Sequence, residues 1–196
     1  MHCCIRCADQ GMRNTLLLFL LVPTVLLSAC AERFSVLDAK GYGEMANYMP
    51  NELTSHNLPT DPHAVQDAVH AGKEPYGTIL FQQLSPEFMQ GETAQYYLGE
   101  TFARTIQPSR RVVRHRQNGF TIEHVSQRIS VSMLAMGDWD RDGKNEWIVS
   151  CTVTPKRGKH QKTWYLLVPP PLNSQEILKA TPAAVLDCAG GSCTIS

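Results

Sequence analysis

Hydrophobic positions divide the chain into three parts. An almost unbroken apolar run covers residues 16–27, and a polar stretch with several glycines and prolines follows over residues 30–60. That composition predicts an extended tether with at most a short helix near residues 43–48. Beyond it the apolar positions recur first at helical and then at alternating spacing, which predicts one folded domain over residues 61–196.

Two helices are predicted at the start of this domain. Asp61-Pro62 begins the first, because aspartate caps helices well and proline suits their first turn, and Gly72 ends it. Ser85-Pro86-Glu87 repeats this opening ahead of a longer helical stretch that Pro108 ends. A further short helix is predicted near residues 174–179.

Six segments after these helices are predicted to be strands. The third, fourth and fifth are rich in Ile, Val, Trp and Thr, and an Asn-Gly pair between the first two favours a hairpin. The fold class predicted is therefore α+β, with N-terminal helices followed by an antiparallel β-sheet. The strand segments are residues 111–115, 120–125, 127–136, 147–154, 163–168 and 184–187.

Composition and charge exclude two broad classes. The chain is 43% hydrophobic and 18% charged, which is typical of a globular domain and not of a disordered chain. The formal net charge is zero, so nothing attracts the chain as a whole to nucleic acid. Residues 31–103 nevertheless carry three Lys or Arg and ten Asp or Glu, whereas residues 104–196 carry thirteen and seven. This asymmetry predicts that the two halves attract each other or present opposite faces.

The apolar run at the N-terminus has the features of an export signal. Its 12 residues are too few for a transmembrane helix, which needs ~20, and Arg13 precedes it. The run ends in Leu27-Ser28-Ala29-Cys30, which resembles the lipobox of bacterial lipoprotein precursors. An ordinary secretory peptide followed by a cysteine is the alternative. Both Met1 and Met12 fit as the start of translation.

The lipobox resemblance implies where the protein is found. Residues 1–29 would be removed as a signal peptide, and lipid on the Cys30 thiol would anchor the chain in a bilayer at the cell envelope. Ala31, where enterobacterial sorting to the inner membrane prefers aspartate, favours the outer membrane. The lipid bilayer is therefore one expected partner, and another envelope protein is a second.

An acidic loop between two predicted strands is the strongest candidate for a metal site. Asp138, Asp140 and Asp142 alternate, which directs three carboxylates toward one centre, and Gly143 permits the positive φ of a tight turn. Ca²⁺ takes six to eight oxygen ligands. The sequence predicts that Ca²⁺ is bound by three aspartates, a carbonyl and a glutamate: Asp138, Asp140, Asp142, Lys144 and Glu146. A solvated turn without an ion and a catalytic metal stay open as alternatives.

The surroundings of this loop resemble a known calcium-binding unit. In an EF-hand the twelfth position would be glutamate, but here it is Val149, and strands flank the loop. The stretch over residues 130–168 resembles the FG-GAP repeat of β-propellers, in which an apolar strand runs into Gly-Asp and an acidic residue, here Glu146, stands at the ninth position. The resemblance implies a structural calcium ion between two strands. The chain has one copy, so a complete propeller is not expected.

Three cysteines remain after Cys30, and export to an oxidising compartment favours a disulfide. Cys188 and Cys193 flank Gly190-Gly191, so a two-residue hairpin turn would place them at a non-hydrogen-bonded pair with Cα atoms ~4.5 Å apart, within disulfide range. That pairing leaves Cys151 as a buried strand thiol. A bond from Cys151 to either tail cysteine is the alternative.

Basic residues are concentrated at the first predicted strand: Arg110, Arg111, Arg114, His115 and Arg116. This patch could meet anionic lipid headgroups or the acidic half of its own chain, or it could be ordinary surface charge. It has no interleaved aromatic residues, so nucleic acid is not an expected partner.

These features predict a membrane-anchored envelope lipoprotein whose calcium-stabilised domain has a binding or structural role, with no catalytic residues. The alternative is a metal-dependent periplasmic hydrolase, in which Asp138, Asp142 and Glu146 would hold a catalytic metal. A hydrolase would need a histidine beside the loop, and His124 and His160 are the nearest in sequence.

Overall fold

The structure is a computed structural model that describes residues 34–61, 74–89, 100–105 and 111–196. The helices are α1 (Ala39–Tyr48), α2 (Pro50–Ser55), α3 (Tyr76–Gln83) and α4 (Phe102–Thr105), with a 3-10 turn at Pro86–Met89. The strands are β1 (Ser35–Val36), β2 (Val112–Arg116), β3 (Gly119–Glu123), β4 (Gln127–Gly137), β5 (Glu146–Pro155), β6 (His160–Val168), β7 (Thr181–Ala189) and β8 (Ser192–Ile195). Within the described ranges, no helix has both the length and the apolar composition needed to span a bilayer.

The strands form one antiparallel sheet. β2 to β8 lie side by side in chain order. β4 is long enough to pair with two strands along one edge, so that Ser132 lies opposite Gly119 of β3 and Met136 lies opposite Ser35 of β1. The predicted α+β class is confirmed, and each of the six predicted strands overlaps an observed one.

Side chains alternate along the strands, and helices cover both faces of the sheet. On the first face, α3, the 3-10 turn and α4 bury a cluster that includes Met133 and Val149. On the second face, α1 and α2 form another cluster in which Tyr42 and Leu53 are fully buried together with Ile148. The sheet is therefore the middle layer between two helical layers of unequal extent.

A β-bulge in β4 fixes where the N-terminal segment joins the sheet. The register between β4 and β5 shifts between Met133 and Ala135, and Leu134 belongs to the cluster on the second face. The carbonyl of Leu134 accepts hydrogen bonds from the backbone N–H groups of Leu37, at 2.8 Å, and Asp38, at 3.0 Å. The first described residues are thus bonded directly to a central strand.

The tether predicted over residues 30–60 is wrong for its described part, which is folded. Asp38 caps α1 by accepting a hydrogen bond from the backbone N–H of Gly41 at 3.0 Å. Tyr42 and Met45, one helical turn apart, are buried against the sheet, and Leu53 of α2 joins them. The folded domain therefore includes residues 35–58 and does not begin at residue 61.

The helix predictions within the domain have mixed outcomes. The helix predicted to begin at Asp61-Pro62 lies almost entirely outside the described residues. The stretch predicted to be helical over residues 85–106 has the 3-10 turn near its start and α4 near its end, with residues 90–99 outside the described part. The sequence pattern does not predict α3, because a glycine and β-branched residues are frequent in strands and turns.

The short helix predicted near residues 174–179 is wrong. The backbone N–H of Leu178 donates to the carbonyl of Gln83 at 2.8 Å, and the carbonyl of Leu178 accepts from Ser85 at 2.9 Å. These bonds hold Leu178 in an isolated bridge to the end of α3. A contact that is distant in sequence therefore replaces the local helix.

Candidate metal site

The acidic loop connects the last pair of β4 and β5, in which Gly137 lies opposite Glu146. Two residues within it have positive φ, Arg141 at 64° and Gly143 at 86°. The positive φ predicted for Gly143 is confirmed, and the space around this glycine is open. The strand–loop–strand arrangement predicted for residues 137–147 is also present.

Three carboxylates converge inside this loop and could hold a metal ion. One carboxylate oxygen from each of Asp138, Asp140 and Glu146 lies within 4.8 Å of the other two. We call these three residues the acidic triad. Oδ2 of Asp138 accepts a hydrogen bond from the backbone N–H of Gly143 at 3.0 Å, whereas Oδ1 is buried and has no hydrogen-bond partner. A bound cation would supply the missing partner, so the donor set fits a metal ion.

Asp142 lies outside the acidic triad. Its Oδ1 accepts from the backbone N–H of Lys144 at 2.8 Å, and its Oδ2 accepts from the Lys144 ammonium at 3.1 Å. These hydrogen bonds lower the pKa of the Asp142 carboxyl. The predicted ligand roles of Asp142 and of the Lys144 carbonyl stay predictions, since the structure brings together only the other three.

The Glu146 carboxyl in this loop has a raised pKa. Burial raises the pKa of its carboxyl, and repulsion from Asp140, Asp142 and Asp138 raises it further. A hydrogen bond from the backbone N–H of Trp139 to Oε2, at 2.8 Å, opposes this rise. A divalent cation at the triad would relieve the repulsion between these carboxylates.

The end of α2 supports the loop from the second face of the sheet. The ring of His56 stacks on the buried Trp139, with ring centroids 4.4 Å apart, and Nδ1 of His56 donates to the Trp139 carbonyl at 2.7 Å. Arg141 donates to the backbone carbonyl of Ser55. Sequence reasoning missed His56, because it lies in the stretch predicted to be a tether. His56 directly follows the last residue of α2, and this position is the only feature that could have indicated its role.

The two histidines considered for a hydrolase have partners elsewhere. His124 contacts the hydroxyl of Ser126 through Nδ1 at 3.0 Å, and His160 contacts the carboxylate of Asp187 through Nε2 at 2.6 Å. Neither belongs to the acidic triad. The structure therefore does not assemble the metal-plus-histidine arrangement that a hydrolase would need from these residues.

The predicted disulfide between Cys188 and Cys193 is confirmed. The two residues lie opposite each other in β7 and β8 with Cα atoms 4.1 Å apart, and Gly190 and Gly191 have the positive φ values of the connecting turn. Cys151 is a free, fully buried strand thiol, and burial raises its pKa. The alternative pairing of Cys151 with a tail cysteine is therefore wrong.

Removing this disulfide should lower stability moderately. We expect Cys188→Ser combined with Cys193→Ser to reduce the free energy of unfolding by about 2 kcal/mol, because the bond closes a short loop in the unfolded chain. Urea denaturation of both proteins, with and without a reducing agent, measures the effect. The reductant should destabilise the wild type alone, and an equal loss in the double variant would contradict this origin.

Comparison of the chain with protein-family models, with curated proteins and with solved structures found no match. The resemblances of the Cys30 segment and of the acidic loop therefore stay predictions. Cys30 itself lies outside the described residues.

Proposed function

We propose that this chain is a cell-envelope lipoprotein, anchored in a bilayer through Cys30, whose domain holds one structural Ca²⁺ ion and has a non-catalytic binding or structural role. The observation that carries the proposal is the acidic triad, because it combines three convergent carboxylates with an unpartnered, buried Asp138 oxygen. The hairpin disulfide supports export to an oxidising compartment. Ala31 favours the outer membrane as the site of the anchor.

The chemistry of the triad favours calcium over other metals. All three ligand groups are carboxylates, which suit hard cations such as Ca²⁺ and Mg²⁺, whereas zinc and copper prefer sites with histidine or cysteine. Mg²⁺ demands near-ideal octahedral geometry, but Ca²⁺ tolerates irregular loops. Asp140 is exposed, so water can complete the coordination. Extracellular calcium modules bind with Kd of ~10⁻⁴ to 10⁻³ M.

The surroundings of the triad favour a structural role for the ion. Trp139 and Glu146 connect the loop to the hydrophobic cluster under α2, so an ion that orders the loop also stabilises this contact. Both ring nitrogens of the nearby His56 have partners within the protein, Nδ1 on the Trp139 carbonyl and Nε2 on the Glu52 carboxylate at 3.3 Å. These contacts support the non-catalytic proposal over the hydrolase.

Calcium should raise the melting temperature of the protein. With Kd of ~0.1 mM and ~1 mM Ca²⁺, binding adds roughly 1.4 kcal/mol, which corresponds to about 3–6 °C for a domain of this size. Asp138→Asn should abolish the shift, because it removes the ligand whose Oδ1 has no other partner. Glu44→Gln, an exposed acidic residue on α1, is the matched control and should keep the shift. A melting temperature that is equal in Ca²⁺ and in a chelator would contradict calcium binding.

The anchor is tested on the N-terminus of the protein purified from membranes. We expect mass spectrometry to find chains that begin at Cys30 and carry a lipid on its thiol. Cys30→Ser should leave residues 1–29 attached, because the lipidated cysteine is the substrate of the processing step. An unmodified and uncut N-terminus in the wild type would contradict the lipoprotein proposal.

A further inference from the structure

Part of the second sheet face carries basic and hydroxyl side chains instead of apolar ones. α1 and α2 cover the region of this face around Leu134 and Ile148. Away from it, the register aligns Arg114, Thr121 and Ser130 in one row and places Arg116 in line with Ser132 across Gly119. Arg128 lies on the same face of β4 as Ser130 and Ser132, because every second residue of a strand shares a face. We call these side chains the basic face: Arg114, Arg116, Thr121, Arg128, Ser130 and Ser132.

The basic face has an excess of positive charge. Glu123 accepts a hydrogen bond from Arg128 and forms an ion pair with Lys156 at 3.3 Å, so one carboxylate serves two cations. Among the described residues, no acidic side chain pairs with Arg114 or Arg116, and both are exposed. The three arginines of the basic face and the adjoining Lys156 carry four positive charges, and Glu123 carries one negative charge. The formal surplus is therefore three positive charges.

The shape and chemistry of this face suit the oxygen atoms of phosphate groups. Its side chains line a depression of about 220 Å³ together with Glu123, whose carboxylate is paired with Arg128 and Lys156. Guanidinium groups bind phosphate through paired N–H donors, and neighbouring serine and threonine hydroxyls add further donors. Phe120, the aromatic residue of this lining, is buried and offers no surface for stacking bases. The face therefore favours a phosphate-bearing ligand that is not a nucleic acid.

The described chain begins at the acidic-loop end of β4, where Ser35 lies opposite Met136, and the basic face begins four residues along that strand at Ser132. Five peptide steps join Cys30 to Ser35, so they can span at most about 18 Å. Just beyond, the carbonyl of Leu37 accepts a hydrogen bond from the Asn118 side chain at 3.0 Å. Leu37, Asp38 and Ala39 line a second depression together with Arg116 and Ser132. An anchored domain would therefore stay within reach of the bilayer, so that the basic face can turn toward the lipid headgroups.

We propose that the basic face binds the phosphate groups of anionic lipids in the membrane that holds the anchor. This proposal rests on the proposed lipid anchor. Two observations support it: the positive charge of the face is complementary to anionic lipid, and the linker to the anchor is short. Each basic residue near an anionic surface lowers the free energy of membrane binding. Several such residues, together with an acyl anchor, orient a domain on the bilayer.

Arginine labelling with phenylglyoxal tests the proposal on the full protein. The protein purified from membranes is reconstituted into vesicles of phosphatidylcholine alone or with phosphatidylglycerol added, and labelling rates are read by mass spectrometry. We expect Arg114 and Arg116 to be labelled about fivefold more slowly with phosphatidylglycerol, and high salt to remove the difference. Arg104, exposed on α4 at the opposite face of the sheet, is the internal control and should not change.

Several outcomes would overturn the proposal. Equal labelling of Arg114 and Arg116 in both vesicle types would show that anionic lipid does not cover the face. Slow labelling in both types would show that the chain itself covers it. Equal protection by inorganic phosphate in phosphatidylcholine vesicles would assign the face to a soluble ligand. Protein that does not float with either vesicle type would contradict the anchor, whereas floating protein with equal labelling contradicts only the lipid contact.

Discussion

Tyr42→Ala is expected to reduce the free energy of unfolding by about 3–5 kcal/mol, as for other large aromatic residues removed from a core. Tyr42 is fully buried in the cluster under α1, and its ring lies 5.4 Å from that of Phe34. Its hydroxyl donates to the carbonyl of Pro59 at 2.6 Å, and burial raises its pKa. The alanine variant would leave a cavity and a carbonyl without its partner. Urea denaturation followed by tryptophan fluorescence measures the loss.

Two matched variants separate the contributions to this effect. Tyr42→Phe keeps the ring and removes the hydrogen bond to Pro59, so we expect a loss of about 1 kcal/mol. Tyr48→Ala removes a tyrosine from the exposed side of the same helix and should cost less than ~1 kcal/mol. If Tyr42→Ala cost no more than Tyr48→Ala, α1 would not be packed on the sheet. The N-terminal stretch would then be a tether after all.

The sheet could be predicted because the residues that determine each strand and turn lie close together in the sequence. Side chains alternate between the two faces along residues 127–136 and 147–154, as in any strand, and the two-residue turn of the tail hairpin carries glycines with positive φ. The tail hairpin is the clearest case, since Gly190 and Gly191 set the turn and the turn sets the opposition of Cys188 and Cys193.

The helices over residues 39–55 could not be predicted because their packing depends on residues far along the chain. Glycines normally disfavour helices, and α1 contains two. A Cβ atom at Gly41 would lie 2.7 Å from the side chain of Leu134. This glycine therefore allows α1 to approach the bulge in β4, and nothing near it in sequence indicates that contact.

All three residues of the acidic triad were predicted, but the contacts around them were not. Alternating aspartates indicate a loop that collects carboxylates, and Asp138, Asp140 and Glu146 do converge. The pairing of Asp142 with Lys144 depends on the side-chain conformations of the loop. The stacking of His56 on Trp139 depends on the placement of α2, so it requires the three-dimensional structure.

The start of α3 rests directly on the β2–β3 hairpin at Gly77. The backbone N–H of Gly77 donates to the carbonyl of Gln117 at 2.9 Å. A Cβ atom at Gly77 would lie 2.0 Å from the carbonyl oxygen of Gly119 and 2.2 Å from that of Arg116. Both atoms belong to the backbone, so no side-chain rotation can make room, and the helix and the hairpin would have to move apart.

Gly77→Ala is therefore expected to destabilise the protein by about 3 kcal/mol or more, as in cases of severe overpacking. The sign of this stability change tests the contact between α3 and the hairpin. On a helix with open space around the glycine, alanine would instead be more favourable than glycine by about 1 kcal/mol. Gly158→Ala is the control. In contrast to Gly77, a Cβ atom at Gly158 would have no neighbour within 4 Å, but the φ of Gly158 is 98°, so its variant should lose about 1–2 kcal/mol through backbone strain alone. Denaturation curves of the three proteins compare the effects, and an alanine at position 77 that stabilises the protein would show that α3 does not contact the hairpin.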